Sequence, residues 1–236
     1  MSAISFAPFV SADTGYQKPP KAILDVLNAP STPTPSVNPT RTHVLFLDFV
    51  RNPSIADLAR PMLRLAGLRI DPGNSGPHLT SYAYAAKLKK LDGGTEVKLV
   101  IPPQAKLSGL NWSPDGRYFS VINHTATSLD LWVGDTATGR LKRIEKAALN
   151  AAIGDAVDWM PDSRTLLVRL VPATRGKMPQ APLTPTTPSI QESVGKAGFT
   201  PTFQDTLKSP YDEQLFEHFA LSQLVSINAI SGAVTL

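Results

Sequence analysis

Residues 111–117 read Asn111-Trp112-Ser113-Pro114-Asp115-Gly116-Arg117 and run into Tyr118-Phe119-Ser120-Val121-Ile122. Residues 158–164 read Asp158-Trp159-Met160-Pro161-Asp162-Ser163-Arg164 and run into Thr165-Leu166-Leu167-Val168. Proline presets φ at the first central position of a turn, and Asp followed by Gly or Ser suits the next ones. The pattern therefore places a buried aromatic at the end of one strand, a tight turn, and the start of another strand. A weaker copy lies upstream as Val37-Asn38-Pro39-Thr40-Arg41, followed by His43-Val44-Leu45-Phe46-Leu47. There the aromatic is a valine and the arginine sits one place early.

A second element follows each turn. Leu129 to Val133 runs into Asp135-Thr136-Ala137-Thr138-Gly139 and returns through Leu141 to Ile144. Leu224 to Ile227 runs into Asn228-Ala229-Ile230-Ser231-Gly232 and returns at Val234. Both predict hairpins whose glycine takes the positive φ of the turn. A poorer copy runs from Tyr84 to Leu91, through Asp92-Gly93-Gly94, and back from Val97 to Ile101.

Turn proline and hairpin glycine stand 25 residues apart in the middle unit, 55 in the first and 71 in the third. The excesses match two segments that do not read as strand, 51–80 and 170–215. The uninterrupted unit, Pro114 to Pro161, is 47 residues, and four strands in about 40–50 residues make one propeller blade. The predicted fold is all-β, a partial β-propeller of about three four-stranded antiparallel blades with short helical insertions. Blade 1 covers about 31–103 with insertion 51–80, blade 2 about 104–147, and blade 3 about 152–236 with insertion 170–215. A propeller needs about four to eight blades to close, so the expectation is that this chain is the front piece of something longer. Expressed alone, it should expose strand edges and apolar faces and associate.

The insertions have their own signatures. Pro53-Ser54 reads as a helix start, with Ile55, Leu58, Ala59, Met62 and Leu63 at helical spacing and Pro61 as a breaker. Prolines 172, 179, 182, 185 and 188 predict an extended spacer. Residues 210–222 predict a short helix with acidic residues at its start. Such insertions generally emerge on one face of a repeat array.

Composition narrows the function. The chain has 236 residues, 42% of them hydrophobic and 18% charged, with 22 prolines and no cysteine. That suffices for a core and excludes disulfides, thiolate catalysis and cysteine-ligated metals. No apolar run reaches the roughly 18 residues of a membrane span. Residues 1–18 read as a disordered leader or a signal remnant, with Val10-Ser11-Ala12 resembling a cleavage site, and they do not decide compartment. The net charge of +4 is spread along the chain, and the cluster Arg140, Lys142, Arg143 and Lys146 lacks interleaved aromatics. It reads as a solvated surface rather than a nucleic-acid interface.

Catalytic and cofactor motifs are missing. Gly73-Asn74-Ser75-Gly76-Pro77 is the nearest string to a nucleophile elbow, but proline replaces its last glycine and no strand leads in, so it reads as a turn. There is no phosphate-binding glycine loop. His43, His78, His124 and His218 lack the spacing of zinc ligands, so no metal or cofactor is expected. Glu213 and Glu217 read as the solvated face of a helix, although their spacing also suits capture of an amine. Trp112, Trp132 and Trp159 read as packing between blades. Arg60, Arg64, Arg69 and Arg175 stand in the insertions, where each either forms a structural ion pair or faces a cavity and holds a carboxylate.

These turns and hairpins resemble the N-terminal propeller of the prolyl oligopeptidase family of serine peptidases. Several strings are similar to its glutamyl endopeptidase-like branch: 19–30 (Pro19 to Pro30), Ile55 to Pro61, Leu65 to Ile70, Phe203 to Lys208, Tyr211-Asp212-Glu213 and Ser222-Gln223-Leu224. The resemblance runs from about residue 16 to the end. It implies a C-terminal α/β-hydrolase domain as partner, carrying serine, aspartate and histidine, and peptide substrates whose access the propeller gates. Cleavage after glutamate is what the branch is named for. No residue of the triad falls within this chain, which should be inactive alone. Under this resemblance Arg60, Arg69 and Arg175 become candidates for holding a substrate carboxylate. The other reading is a non-catalytic propeller used for binding or assembly, similar to TolB, which predicts further blades and no hydrolase domain.

Overall fold

The computed structural model describes residues 18–184, 195 and 205–235. The chain divides into two units, Met1–Pro30 and Ser31–Leu236. In the first, α1 (Lys21–Leu27) is a helix with Lys21 paired to Asp25 one turn on at 2.5 Å. The predicted leader lies outside the described residues, apart from Lys18.

The second unit is built of antiparallel meanders. β1 (Thr34–Val37), β2 (His43–Phe49), β6 (Ala83–Lys90) and β7 (Val97–Lys98) pair in that order. β8 (Leu107–Trp112), β9 (Tyr118–His124), β10 (Leu129–Asp135) and β11 (Leu141–Ala148) form the second meander. β12 (Val157–Trp159), β13 (Thr165–Leu170), β14 (Gln223–Asn228) and β15 (Val234–Thr235) form the third. The first two are joined at one point, Ala83 opposite Leu107. Three consecutive four-stranded blades of a β-propeller result.

Side-chain alternation explains the packing. Successive residues of a strand face opposite sides of its sheet, and β9 is buried on both. Phe119 and Val121 pack with Leu45, Leu47 and Leu88 of the first blade. Ile122, with Leu129, Leu131 and Val133 of β10, packs with Leu166, Val168, Val225 and Ile227 of the third. The middle blade is thus covered on both faces. Gly134, opposite Phe119 in register, is the residue that lets this happen: a Cβ there would lie 2.1 Å from the phenyl ring.

The repeated turns share one geometry. Arg41, Gly116 and Ser163 donate their N–H to the carbonyls of Asn38, Ser113 and Met160 at 2.9, 2.8 and 3.0 Å. All three have positive φ, at 55°, 69° and 59°. Arg41 therefore occupies the place of Gly116, which is why its arginine came one place early. The two better hairpins also match: Gly139 donates to the Asp135 carbonyl and Gly232 to that of Asn228, both at 2.8 Å. The first hairpin departs from expectation. Its return strand is Val97–Lys98 and does not reach Ile101, because Pro102 and Pro103 follow and the glycine pair lengthens its loop.

Both insertions grow from the same connection, between the second and third strands of their blades. In the middle blade that connection is the short Thr125–Ser128 turn, closed by Thr125 N–H to the Ser128 carbonyl at 2.9 Å. The first insertion corrects the sequence reading of 51–80 as free of strand. After α2 (Ile55–Leu58), which ends before Pro61, it forms β3 (Leu63–Leu65), β4 (Leu68–Asp71) and β5 (Gly76–Pro77). The signal was Leu63 and Leu65 facing Leu68 and Ile70 across Ala66-Gly67, whose φ values of 50° and 80° suit a two-residue hairpin turn. It was masked because Leu63 also fits the helical spacing begun at Ile55.

The second insertion carries α3 (Pro210–Ala220), capped by Ser209, whose hydroxyl accepts from the Asp212 N–H, with proline in its first turn. Leu215 and Phe219 of α3 pack with Leu65 and Ile70 of the first insertion and with Ala152. The two insertions thus share a core of their own. Prolines 172, 179 and 182 lie in irregular chain, whereas prolines 185 and 188 lie outside the described residues.

Candidate functional site

The turn 72–76 of the first insertion sits on the middle blade. Asn74 donates its amide to the Thr125 carbonyl at 2.9 Å, and Gly73 lies so close to the Ala126 carbonyl that a Cβ would be 2.7 Å from it. Beneath this contact are two buried carboxylates. Asp71 accepts from Arg60 Nη2 at 2.5 Å and from the Gly73 N–H at 2.9 Å. Asp57 accepts from Lys106, from the Tyr82 hydroxyl at 3.1 Å and from Ser54 at 2.8 Å. Its bond to the Lys106 ammonium holds the Asp57 carboxyl down to about 2 against the opposing effect of burial.

His124 ends β9 beside this cluster. Its Nε2 lies 2.7 Å from Ser108 Oγ, and its buried Nδ1 has no partner among the described residues. Burial, followed by the charges of Arg60 and Lys106, pushes its pKa down to about 4. The ring is therefore neutral near pH 7.

Next to Ser108 and His124 opens a cavity of about 490 Å³ between the first strands of blades two and three. Pro77 and Leu79 of the first insertion form one wall, and Asn111 adds a polar group to another. Asp155 and Asp158, both exposed and in no ion pair among the described residues, line the side nearest blade three. A bulge in β8 opens the wall: pairing with β9 shifts between Ser108 and Asn111, and Gly109 has φ 60°. The lining combines apolar walls with a few hydrogen-bonding groups. Ser108 and His124 have the spacing of a nucleophile and base, but among the described residues no carboxylate orients Nδ1, and the lowered pKa makes the imidazole a weak base.

The three candidate arginines have different partners in the structure. Arg60 is engaged by Asp71, and Arg69 lies 3.5 Å from Asp205. Arg175 differs: it stacks over Phe219 at 5.6 Å and donates Nη2 to Ser75 Oγ at 2.9 Å, while its buried Nη1 has no hydrogen-bond partner among the described residues. Burial lowers its pKa, and no carboxylate partners it among the described residues. Ser75, in the string that resembled an elbow, sits in a turn with φ 58° and accepts this guanidinium. Sequence reasoning missed Ser108, His124, Asp155 and Asp158 as neighbours, since only blade packing joins residues so far apart. The proline-aspartate turns that set the blade order were the available signal. No group of three or more His, Asp or Glu among the described residues has the geometry of a metal site, and no helix there is long and apolar enough to cross a membrane.

Over 230 residues the chain is 37% identical to a rice protein named probable glutamyl endopeptidase, chloroplastic, covering 91% of this chain and 24% of that one. An Arabidopsis thaliana protein of the same name matches at 37% over 235 residues, 94% of this chain and 24% of its own length. The chain is homologous to these glutamyl endopeptidases. It spans about a quarter of their length. Among solved structures, an acylaminoacyl peptidase of Pyrococcus horikoshii is similar over 88% of this chain and 24% of its own, with 14% identity and a TM-score of 0.41. The β-propeller domain of a trilobed protease from Pyrococcus furiosus is similar over 59% and 35%, with 15% identity and a TM-score of 0.33. No family model matches.

Proposed function

We propose that this chain is the propeller segment of a serine peptidase that hydrolyses peptide bonds after glutamate, gating access to a C-terminal α/β-hydrolase domain. The observation that carries the proposal is 37% identity across nine-tenths of this chain to proteins about four times as long, named for that activity. A cavity of about 490 Å³ between blades two and three, lined by Ser108, Asn111 and His124, is consistent with a surface that meets a peptide. Arg60 and Arg69 are assigned to holding the insertions through Asp71 and Asp205. Arg175, whose Nη1 has no partner among the described residues, is the guanidinium of the three left to meet a substrate carboxylate. The blades are taken as 31–103, 104–147 and 152–236.

The test uses the whole gene product, assayed on matched peptides with glutamate or glutamine before the scissile bond. Hydrolysis of the glutamate peptide, lost on replacing the serine of a downstream Gly-x-Ser-x-Gly, supports the reading. A gene product with further blades, no such motif and no hydrolysis is instead a binding propeller. Arg175→Ala should cut kcat/KM for the glutamate peptide more than for the glutamine one; an equal fall removes Arg175 from recognition.

A further inference from the structure

We propose that the crevice between the outer hairpins of the first two blades binds an oxyanion of phosphate type. The crevice has a volume of about 220 Å³ and lies between the ends of β2 and β6, the Gly94–Val97 return of the first hairpin, and the Thr136–Gly139 turn of the second. It is distant in role from the cavity beside His124 and does not rest on the peptidase reading.

The groups facing it are donors. His43 and Lys90 are directly opposite in register, so both side chains lie on the face of the first blade that turns toward the second. Lys89 lines the same crevice, and neither lysine has an ion-pair partner among the described residues. No carboxylate among the described residues lines it. Thr138 accepts the Arg140 N–H at 3.3 Å, which leaves its hydroxyl hydrogen to give.

The imidazole is the decisive group. His43 Nε2 is buried and has no hydrogen-bond partner among the described residues. Its other nitrogen, Nδ1, lies 3.0 Å from Thr42 Oγ1. Thr42 Oγ1 in turn accepts from the buried Asn38 amide at 3.0 Å and lies 3.1 Å from Thr40 Oγ1, which accepts from the same amide at 2.9 Å. These distances fit either tautomer of the ring; when the Thr42 hydroxyl donates to Nδ1, it is Nε2 that bears the hydrogen. In that tautomer a buried N–H without an acceptor, with the unpaired Lys90 side chain on the same face in a space larger than a single ion, calls for a ligand with several acceptor oxygens. A phosphate group, free or as a monoester, has them.

Thermal shift and calorimetric titration of the whole gene product test this, using inorganic phosphate and glycerol 3-phosphate against chloride at matched ionic strength. The expected result is a saturable stabilisation by one or both phosphates, with the tighter of the two identifying the source, and none by chloride. Lys89→Ala/Lys90→Ala and His43→Gln should each weaken binding by about tenfold or more. Should His43→Gln fail to fold, the lysine pair decides alone. Equal effects of phosphate and chloride overturn the proposal, as does phosphate binding that the lysine variant keeps at full strength.

Discussion

Trp159 reaches back one blade: its indole N–H lies 3.1 Å from the Ser120 hydroxyl and 3.1 Å from the Asn111 carbonyl. Trp112, at the same place in the preceding unit, donates to Ser36 Oγ at 2.9 Å. Each strand-ending tryptophan therefore ties its blade to the one before. Replacing Trp159 by Phe keeps most of the ring packing and deletes the donor, and should lower unfolding free energy by about 1 kcal/mol, against about 3–5 kcal/mol for Trp159→Ala. Urea denaturation followed by far-UV circular dichroism measures both, and Trp112→Phe should repeat the smaller loss.

Gly116 is tested by alanine. Its φ of 69° disfavours any side chain, and a Cβ would fall 2.5 Å from Asn38 Nδ2 and 2.7 Å from Thr40 Oγ1. Gly116→Ala should destabilise by about 2 kcal/mol or more, seen as a lower denaturation midpoint.

The pair of Arg60 and Asp71 lies under the first insertion, with the carboxylate side chain only 7% exposed. Asp71→Asn keeps an acceptor for the Gly73 N–H but turns an amide donor or a neutral oxygen to a partly buried guanidinium, so a loss of about 3 kcal/mol is expected. Limited proteolysis should then cut within 60–80 before it cuts the blades.

His124 should make stability depend on pH. Its folded-state pKa of about 4 lies below the ordinary 6.5, so the unfolded chain takes up the proton first as pH falls. The stabilisation is whole above pH 6.5 and is lost progressively down to about 4. Asp57, lowered from 3.8 to about 2, adds a second loss below pH 4. Denaturation curves at pH 7.5 and 5 should differ more for the native chain than for His124→Gln; equal differences would exclude His124 as the source.

Leu215 and Phe219 join the insertions. Phe219→Ala removes the ring under Arg175 together with the shared core, and should cost about 3–5 kcal/mol. Hydrogen exchange should rise first at β3, β4 and α3, with the blades still protected.

How much of this was legible depended on distance along the chain. The turns at Pro114 and Pro161 and the hairpins at Gly139 and Gly232 are local chemistry, and their recurrence disclosed the blades. The helix at 210–220 was equally local, through Ser209-Pro210 and its acidic first turn. The small sheet at 63–77 was hidden because strands of two to four residues carry too little alternation to outweigh the helical spacing around them. The candidate site was least legible. Ser108 meets His124 only because β8 pairs with β9 around a bulge, and Arg175 meets Ser75 a hundred residues away. Ion pairing accounts for Arg60 and Arg69, which residue type alone could not separate from Arg175.

The brevity of the Thr125–Ser128 turn has a consequence for anyone redesigning this scaffold. It provides the seat on which Gly73 and Asn74 rest, so a graft inserted there would evict its neighbour even while leaving every sheet intact. Length could be added to either flanking excursion at its outer tip, but the middle unit must stay short for the other two to meet over it.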